Sequence, residues 1–473
     1  MKKQLLTLAF AFASLSATMA QSQVFLPQTF GTAAVPENYY VTQVRTANAA
    51  TVWVLALDLS IPDNSTVRRY ARSTDGGSTW TGGNINIPAG LSVGDLHPLD
   101  GTTAWLTAFP EDATATGAGV YKTTDGGVTW NRQPTATYSG AAAFPNIVYF
   151  WDANNGITMG DPNPNPNGGT VGSRFEVYTT TDGGANWVRN QTNAPATTHA
   201  AEYGLTGVRA VAGNTIWAGG YNDVSAGAKL YKSTDRGLTW SAAGTDIPKG
   251  IDFVAFADAN NGLMSDGLDL VRTTNGGATN TALTYAGTFR DNGLDNVPGL
   301  PNTFISVGSA DAVGDSLTHY GSSISRDGGL TWTTLERNKR QTQVDVISPN
   351  IGWSGGITNS ATAMREGDVF KLNASLAPAT ATKASADVQQ AVQAFPNPSK
   401  DGVFTVRVAL SKAAPRGVVV TDALGREVYN KTLLATNAAA HDILVDLSKH
   451  TAGLYTLRLE TVQGTVVKKL VIQ

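Results

Sequence analysis

An eight-residue string that keeps returning restricts the possible folds of this chain more than any other feature. Ser-Thr-Asp-Gly-Gly-Ser-Thr-Trp at Ser73 to Trp80 recurs at Thr123 to Trp130, Thr180 to Trp187, Ser233 to Trp240 and Ser325 to Trp332. A sixth copy, Thr273 to Asn280, carries Asn275 for the Asp and Asn280 for the Trp. The Asp or Asn positions, 75, 125, 182, 235, 275 and 327, are separated by 50, 57, 53, 40 and 52 residues. A period of about fifty residues matches a four-stranded antiparallel unit.

Each residue type in the string suits a hairpin. Asp75, Asp125, Asp182, Asp235 and Asp327 are placed to accept backbone N–H groups of their own turns, and the second glycine supplies a positive φ. Trp80, Trp130, Trp187, Trp240 and Trp332 each restart a strand with a large apolar ring. A second signature precedes the strings. The anchors Trp53, Trp105, Ile157, Trp217, Leu263 and Trp353 have an aliphatic residue nine places earlier, namely Val44, Leu96, Val148, Val208, Val254 and Val344. A further copy around Phe304 fits after a shift of two residues, aligning Val297, which makes seven copies. The last has no string but keeps a third strand at 368–372. Seven such units predict an all-β chain with a seven-bladed β-propeller over residues 21–373, because ring closure removes exposed strand edges. Residues 24–30 are expected to supply the missing fourth strand of the last blade.

These strings resemble the Asp-box (BNR) repeats of sialidases, sortilin-type receptors and oligoxyloglucan hydrolases, and the blade pattern is similar to that of photosystem II assembly factors. The resemblance implies the propeller and places the box on the blade periphery, whatever each family binds or cleaves. Sialidases add a Phe-Arg-Ile-Pro motif, which this sequence lacks.

Lys2 and Lys3, an apolar run from Leu5 to Ala13 and small residues from Ser14 to Ala20 predict a signal peptide over residues 1–20, cleaved before Gln21. The run is too short to span a membrane, which takes about 20 apolar residues, so export to the periplasm without a transmembrane segment is expected. An Ala/Thr-rich stretch, 374–393, reads as a linker. Short alternating strands then follow at 403–408, 417–421, 427–433, 443–447, 454–459 and 465–472, predicting a small Ig-like β-sandwich over 394–473. Phe395-Pro396-Asn397-Pro398, Thr421 to Val428, Gly453-Leu454-Tyr455 and Lys468 to Ile472 closely resemble the type A sorting domain of the type IX secretion system of Bacteroidota. That resemblance implies engagement of the type IX machinery through residues 394–473 and passage through the outer membrane. Removal of the domain and either surface attachment or release would follow.

Charge divides along the same boundary. The chain is −3 overall, but residues 21–393 hold 22 basic and 31 acidic side chains, net −9, against 10 and 6, net +4, from residue 394 onward. No clustered basic surface for nucleic acid is indicated. With no cysteine, disulfides, zinc-thiolate sites and thiol nucleophiles are excluded. The five histidines, at 97, 199, 319, 441 and 450, show no metal spacing, and no Gly-x-Ser-x-Gly elbow or phosphate loop is present. Asp161 to Gly169 alternates oxygen ligands as calcium loops do, yet lacks a closing Glu and is stiffened by prolines. No cofactor is therefore expected, calcium being the single candidate.

The strand order puts the inner turns and box turns on one face. The loops of variable length lie on the other, which is the expected binding face. Asp112, Asp161, Glu202 and Asp223 belong to those loops, with solvated turn acids as the alternative. The residues eight before the anchors include Arg45, His97, Tyr149, Arg209 and Asp345, polar groups expected near the mouth of a central channel unless they pack between blades. Together they suggest a monomeric binding module for a glycan or protein ligand, secreted or attached to the outer-membrane surface. The alternative is a glycoside hydrolase with paired acids on the loop-rich face, for which no catalytic residue is assigned.

Overall fold

The computed structural model describes residues 23–30, 38–61, 66–111, 114–138, 144–163, 171–190, 192–222, 227–247, 250–267, 269–309, 320–359, 364–365, 368–377, 386–408, 415–422, 427–432, 441–461 and 464–473. The chain divides into two compact units, residues 1–376 and 377–473. The first is a propeller of seven sheets whose blade strands run antiparallel, with Ala286–Gly287 added parallel to the outer strand of blade 6. Its inner strands are, in blade order, Tyr39–Thr46, Leu91–Pro98, Pro145–Phe150, Glu202–Ala212, Phe253–Phe256, Gly293–Asn296 and Val344–Ser348. Each packs beside the next, and the seventh packs beside the first.

The box turns explain why the string repeats. Asp75 Oδ1 accepts the Thr79 N–H at 2.9 Å and the Ser73 hydroxyl at 2.9 Å, while the Thr79 hydroxyl donates to Oδ2 at 2.6 Å. The same clamp is built on Asp125, Asp235 and Asp327, and on Asp182 with Asn186 as donor. The degenerate copy keeps the geometry too. Asn275 Oδ1 accepts the Thr279 N–H at 2.8 Å, and its amide donates to the Thr279 hydroxyl at 2.9 Å. In all six blades that carry a box, a box N–H donates to a carbonyl of the same blade's inner turn, as Gly76 does to Ala50 at 2.8 Å, so both turns share one face.

The second box glycine also has a role that the hairpin alone does not require. A Cβ on Gly77, whose φ is +91°, would lie 2.4 Å from the Trp353 ring of blade 7. On Gly237 it would meet Ile157 at 2.1 Å, and on Gly184 it would meet Trp105 at 3.2 Å. In blades 1, 3, 4 and 6 the box is thus the seat for the anchor side chain of the preceding blade, while Gly127 and Gly277 face Tyr70 and Leu230 of that blade. The contact is reinforced by indole N–H bonds, Trp105 to Gly183 O at 3.2 Å and Trp217 to Gly276 O at 3.1 Å. Lys122 caps the Trp105 ring at 4.9 Å and also donates to Gly183 O at 2.9 Å. The anchors Trp53, Trp105, Trp217 and Trp353 are fully buried. Of the box rings, Trp130, Trp187 and Trp332 are buried, whereas Trp80 and Trp240 are half-buried.

The ring closes as expected. Phe25–Gln28 pairs antiparallel with Val369–Leu372, with Phe25 opposite Leu372, and becomes the outer strand of blade 7. Glu336 accepts the N–H groups of Val24 and Phe25 at 2.7 and 3.1 Å, and Lys339 donates to Phe25 O. One addition was not foreseen: Ile357–Asn359, between the second and third strands of blade 7, pairs with the start of the blade 1 inner strand.

The second unit is a sandwich of a three-stranded sheet, Val392–Phe395, Val403–Val408 and His441–Asp446, and a four-stranded sheet. The four-stranded sheet consists of Glu427–Thr432, Pro415–Thr421, Gly453–Thr461 and Gly464–Ile472. Alternate residues such as Phe404, Val406, Val418, Val420, Leu457, Leu459, Val466 and Leu470 fill its core. Part of the stretch read as linker is ordered: Ala386–Gln390 is a short helix, and Val388 and Val392 are buried in that core. Few large apolar residues sufficed because two of them face inward.

Candidate functional site

A channel of about 1030 Å³ runs along the propeller axis, lined by the inner strands of all seven blades. One ring of side chains occupies nearly the same level on each strand. It consists of Arg45, His97, Tyr149, Arg209, Ala255, Asp295 and Asp345, from blades 1 to 7 in order. Arg45 lies opposite Trp53, His97 opposite Trp105 and Asp345 opposite Trp353, close to the inner turns. The ring therefore sits toward the box side of the channel. The expectation that the channel-mouth residues and the variable loops serve one face is corrected here, because each inner strand runs from the loop face to the inner turn and the ring falls near its end.

Asp95, which the sequence did not single out, organises half of this ring. Its side chain is fully buried, and it pairs with Arg45 at 3.1 Å and Arg209 at 2.9 Å. It also accepts the Val148 N–H at 3.1 Å, so one carboxylate on blade 2 ties blades 1, 3 and 4. Burial opposes its ionisation, but Arg209 and Arg45 hold the carboxyl below its ordinary range. Arg209 also lies over the Tyr149 ring at 5.1 Å, and Tyr149 meets His97 at 4.6 Å. Burial, then the charge of Arg209, pushes His97 down to about 3, leaving a neutral imidazole.

The opposite arc is acidic. Asp295 accepts the N–H groups of Val346 and Asn296 at 2.7 and 2.8 Å, and Asp345 accepts that of Thr46 at 2.6 Å. Burial and the neighbouring Asp345 push the Asp295 carboxyl well above its usual range. Asp295 does not stand out in the sequence because the copy around Phe304 is shifted by two residues.

The loop acids fare differently. Glu202 is fully buried and accepts the N–H groups of Thr198 and Lys229 at 3.0 and 3.1 Å. Asp161 accepts the Asn146 amide at 2.7 Å and the Gly204 N–H at 3.0 Å, and burial pushes its carboxyl up to about 6. Both are spent on joining their own loops and blades, which corrects their assignment as ligand-binding residues. Asp112, Asp223 and residues 164–169 of the calcium-like run lie outside the described residues. Among the described residues no cluster of three acids or histidines could hold a metal.

In the sandwich, the sequence motif has a structural reason. Asn397 donates to Lys469 O at 2.7 Å and accepts the Val471 N–H at 3.0 Å, so the Phe-Pro-Asn-Pro segment clamps the last strand. Tyr455 of the Gly-Leu-Tyr motif buries its ring and donates to Thr451 O at 2.7 Å. Residues 393–473 match the secretion system C-terminal sorting domain family. The sorting domain marks the chain as a secreted or cell-surface protein, and among the described residues no helix is long and apolar enough to cross a membrane. No curated protein matches the chain.

Solved structures resemble the chain in fold. YCF48 bound to D1 peptide is 16% identical with a TM-score of 0.50, covering 76% of this chain and 98% of that one. PorZ, a surface component of the type-IX secretion system of Porphyromonas gingivalis, is 13% identical with a TM-score of 0.47. That match covers 93% of this chain, which spans only 60% of PorZ. The Hadza microbial sialidase Hz136 is 15% identical with a TM-score of 0.41, covering 72% of this chain and 66% of that one. At such identities the likeness concerns fold alone.

Proposed function

We propose that the protein is an exported binding module whose ligand enters the axial channel, and that the sorting domain delivers the propeller through the type IX machinery to the surface or the medium. The observation that carries this reading is the ring. Arg45, His97, Tyr149, Arg209 and Asp345 converge on one channel, and the described loop acids Asp161 and Glu202 are consumed by internal hydrogen bonds. Binding to glycan and peptide arrays, measured with the full chain, tests it. A ligand taken up through the channel weakens at least about tenfold in Arg45→Gln and in Asp345→Asn, the size expected for a desolvated charge contact. Equal affinity in both variants counts against the channel.

A second reading, hydrolysis of a glycosidic bond, is supported by the neighbouring acids Asp295 and Asp345, since such reactions need one protonated and one ionised carboxyl. Product analysis of every glycan that binds separates the two. For export, truncation before residue 393 is expected to leave the propeller inside the cell envelope, and cell fractionation would show it. Normal release of the truncated chain contradicts the proposed delivery.

A further inference from the structure

The channel ring is electrically lopsided. Both of its cations stand on the Asp95 side, and both of its ring acids stand on blades 6 and 7. We infer that the channel is a receptor site for a small zwitterion, whose carboxylate meets Arg209 and whose ammonium meets Asp295 and Asp345. This deepens the binding reading above and rests on it.

Three observations converge. First, the Arg209 side chain is only 9% exposed and lines the channel, yet its Nη2 has no hydrogen-bond partner. Asp95 engages Arg209 through Nε and Arg45 through Nη2, which leaves Arg45 Nε without a partner as well. Leaving a buried charged donor unsatisfied is costly, and a ligand carboxylate that draws the guanidinium toward the channel would satisfy it. Second, Asp295 and Asp345 both line the channel on neighbouring blades, and their hydrogen bonds come from backbone N–H groups. The charge of Arg45 acts on both from beyond ion-pair distance, and an ammonium between them would supply a direct counter-charge. Third, the blade between Arg209 and Asp295 contributes Ala255, whose methyl leaves the gap between cation and acid unfilled.

A ligand bearing one charge fits less well. A bare anion would leave the acidic arc without a cation between its carboxyls, and a bare amine would leave Arg209 unsatisfied. The volume of about 1030 Å³ admits an amino acid or a very short peptide with room for side chains. These two sources share the same pair of charges, and ligand length distinguishes them.

The test uses the full chain and named probes: the common amino acids, then di- and trialanine, screened by thermal shift and measured by titration calorimetry. The tightest probe is compared with its N-acetyl and C-amide forms. Both blocked forms are expected to bind at least about tenfold more weakly. Arg209→Lys keeps a cation beside Asp95, and it should abolish the distinction between acid and amide. Asp345→Asn should abolish the distinction between free and acetylated amine. Melting curves establish that each variant is folded, and Arg45→Gln serves as a second probe of the cationic side if Arg209→Lys does not fold. Overturning results are the absence of binding by any probe, or equal binding of the parent and blocked forms. If a singly charged or neutral ligand from the arrays loses affinity in these variants, the zwitterion is wrong while the channel reading stands. If no variant affects any ligand, both fail.

Discussion

The box turn and the channel ring are both sampled once per blade, and they differ in what they hold constant. The box keeps one chemistry through six blades, down to the carboxamide of Asn275, which preserves the acceptor that Thr279 needs. The ring carries Arg, His, Tyr, Arg, Ala, Asp and Asp at nearly equivalent places. A position that repeats answers to something the blades share, here a seat for a large side chain of the preceding blade. A position that changes at each blade is not set by the blade, so its side chains are free to be chosen for what lies in the channel. Within one chain, repetition therefore separates the residues that build the fold from those that use it.

The largest expected effect lies on the repeating side. Trp105 is fully buried, stacks on Phe150 at 3.6 Å between ring centroids and rests on the box glycine of the next blade. Trp105→Ala is expected to cost about 3–5 kcal/mol in denaturant unfolding. Asp345→Asn should shift the same transition much less while removing binding. The reverse pattern would break the comparison.

Asp95→Asn sharpens it, because Asp95 lines the ring yet belongs to the structural class. The substitution keeps shape and removes the counter-charge of two buried guanidinium groups, and breaking such a pair typically costs about 3–5 kcal/mol. Adding Arg45→Gln to Asp95→Asn should restore part of the loss, since one uncompensated cation disappears. Additive losses in the double variant would mean that the three charges do not act as a unit.

What the sequence made legible follows the same division. The blade count, the clamp geometry and the closing strand Phe25–Gln28 were readable because each rests on local pattern or on an edge that must be covered. Arg45, His97, Tyr149, Arg209 and Asp345 were readable as a set because a fixed offset from the anchor keeps them on one level. Asp95 was not, since its partner Arg209 is 114 residues away and two blades distant. The acids of the variable loops invited a functional reading that Glu202 and Asp161 do not support. Nothing local distinguishes a carboxylate facing solvent from one that caps backbone N–H groups of the same protein. The box glycines looked like turn formers only, because the side chain that rests on each one comes from the preceding blade.

The smallest effect tests whether the clamp is electrostatic or merely geometric. The paired donors of Thr129, hydroxyl first and backbone N–H second, pull Asp125 down to about 2, below the value near 3.9 expected unfolded. A depressed carboxyl stabilises the fold at pH values above its unfolded pKa, and that contribution fades as pH falls through its folded pKa. Asp125→Asn should therefore lower the melting temperature slightly at pH 6 and lose less of it than the parent between pH 5 and pH 2. Asn275→Asp should do the opposite, because a second carboxylate oxygen would accept the Thr279 hydroxyl as in the other boxes. His97 and Asp161 also titrate, but they are common to both variants and cancel from the difference. If the two substitutions shift the acid limb in the same direction, the charge of the box Asp is irrelevant and its hydrogen-bonding shape alone sustains the repeat.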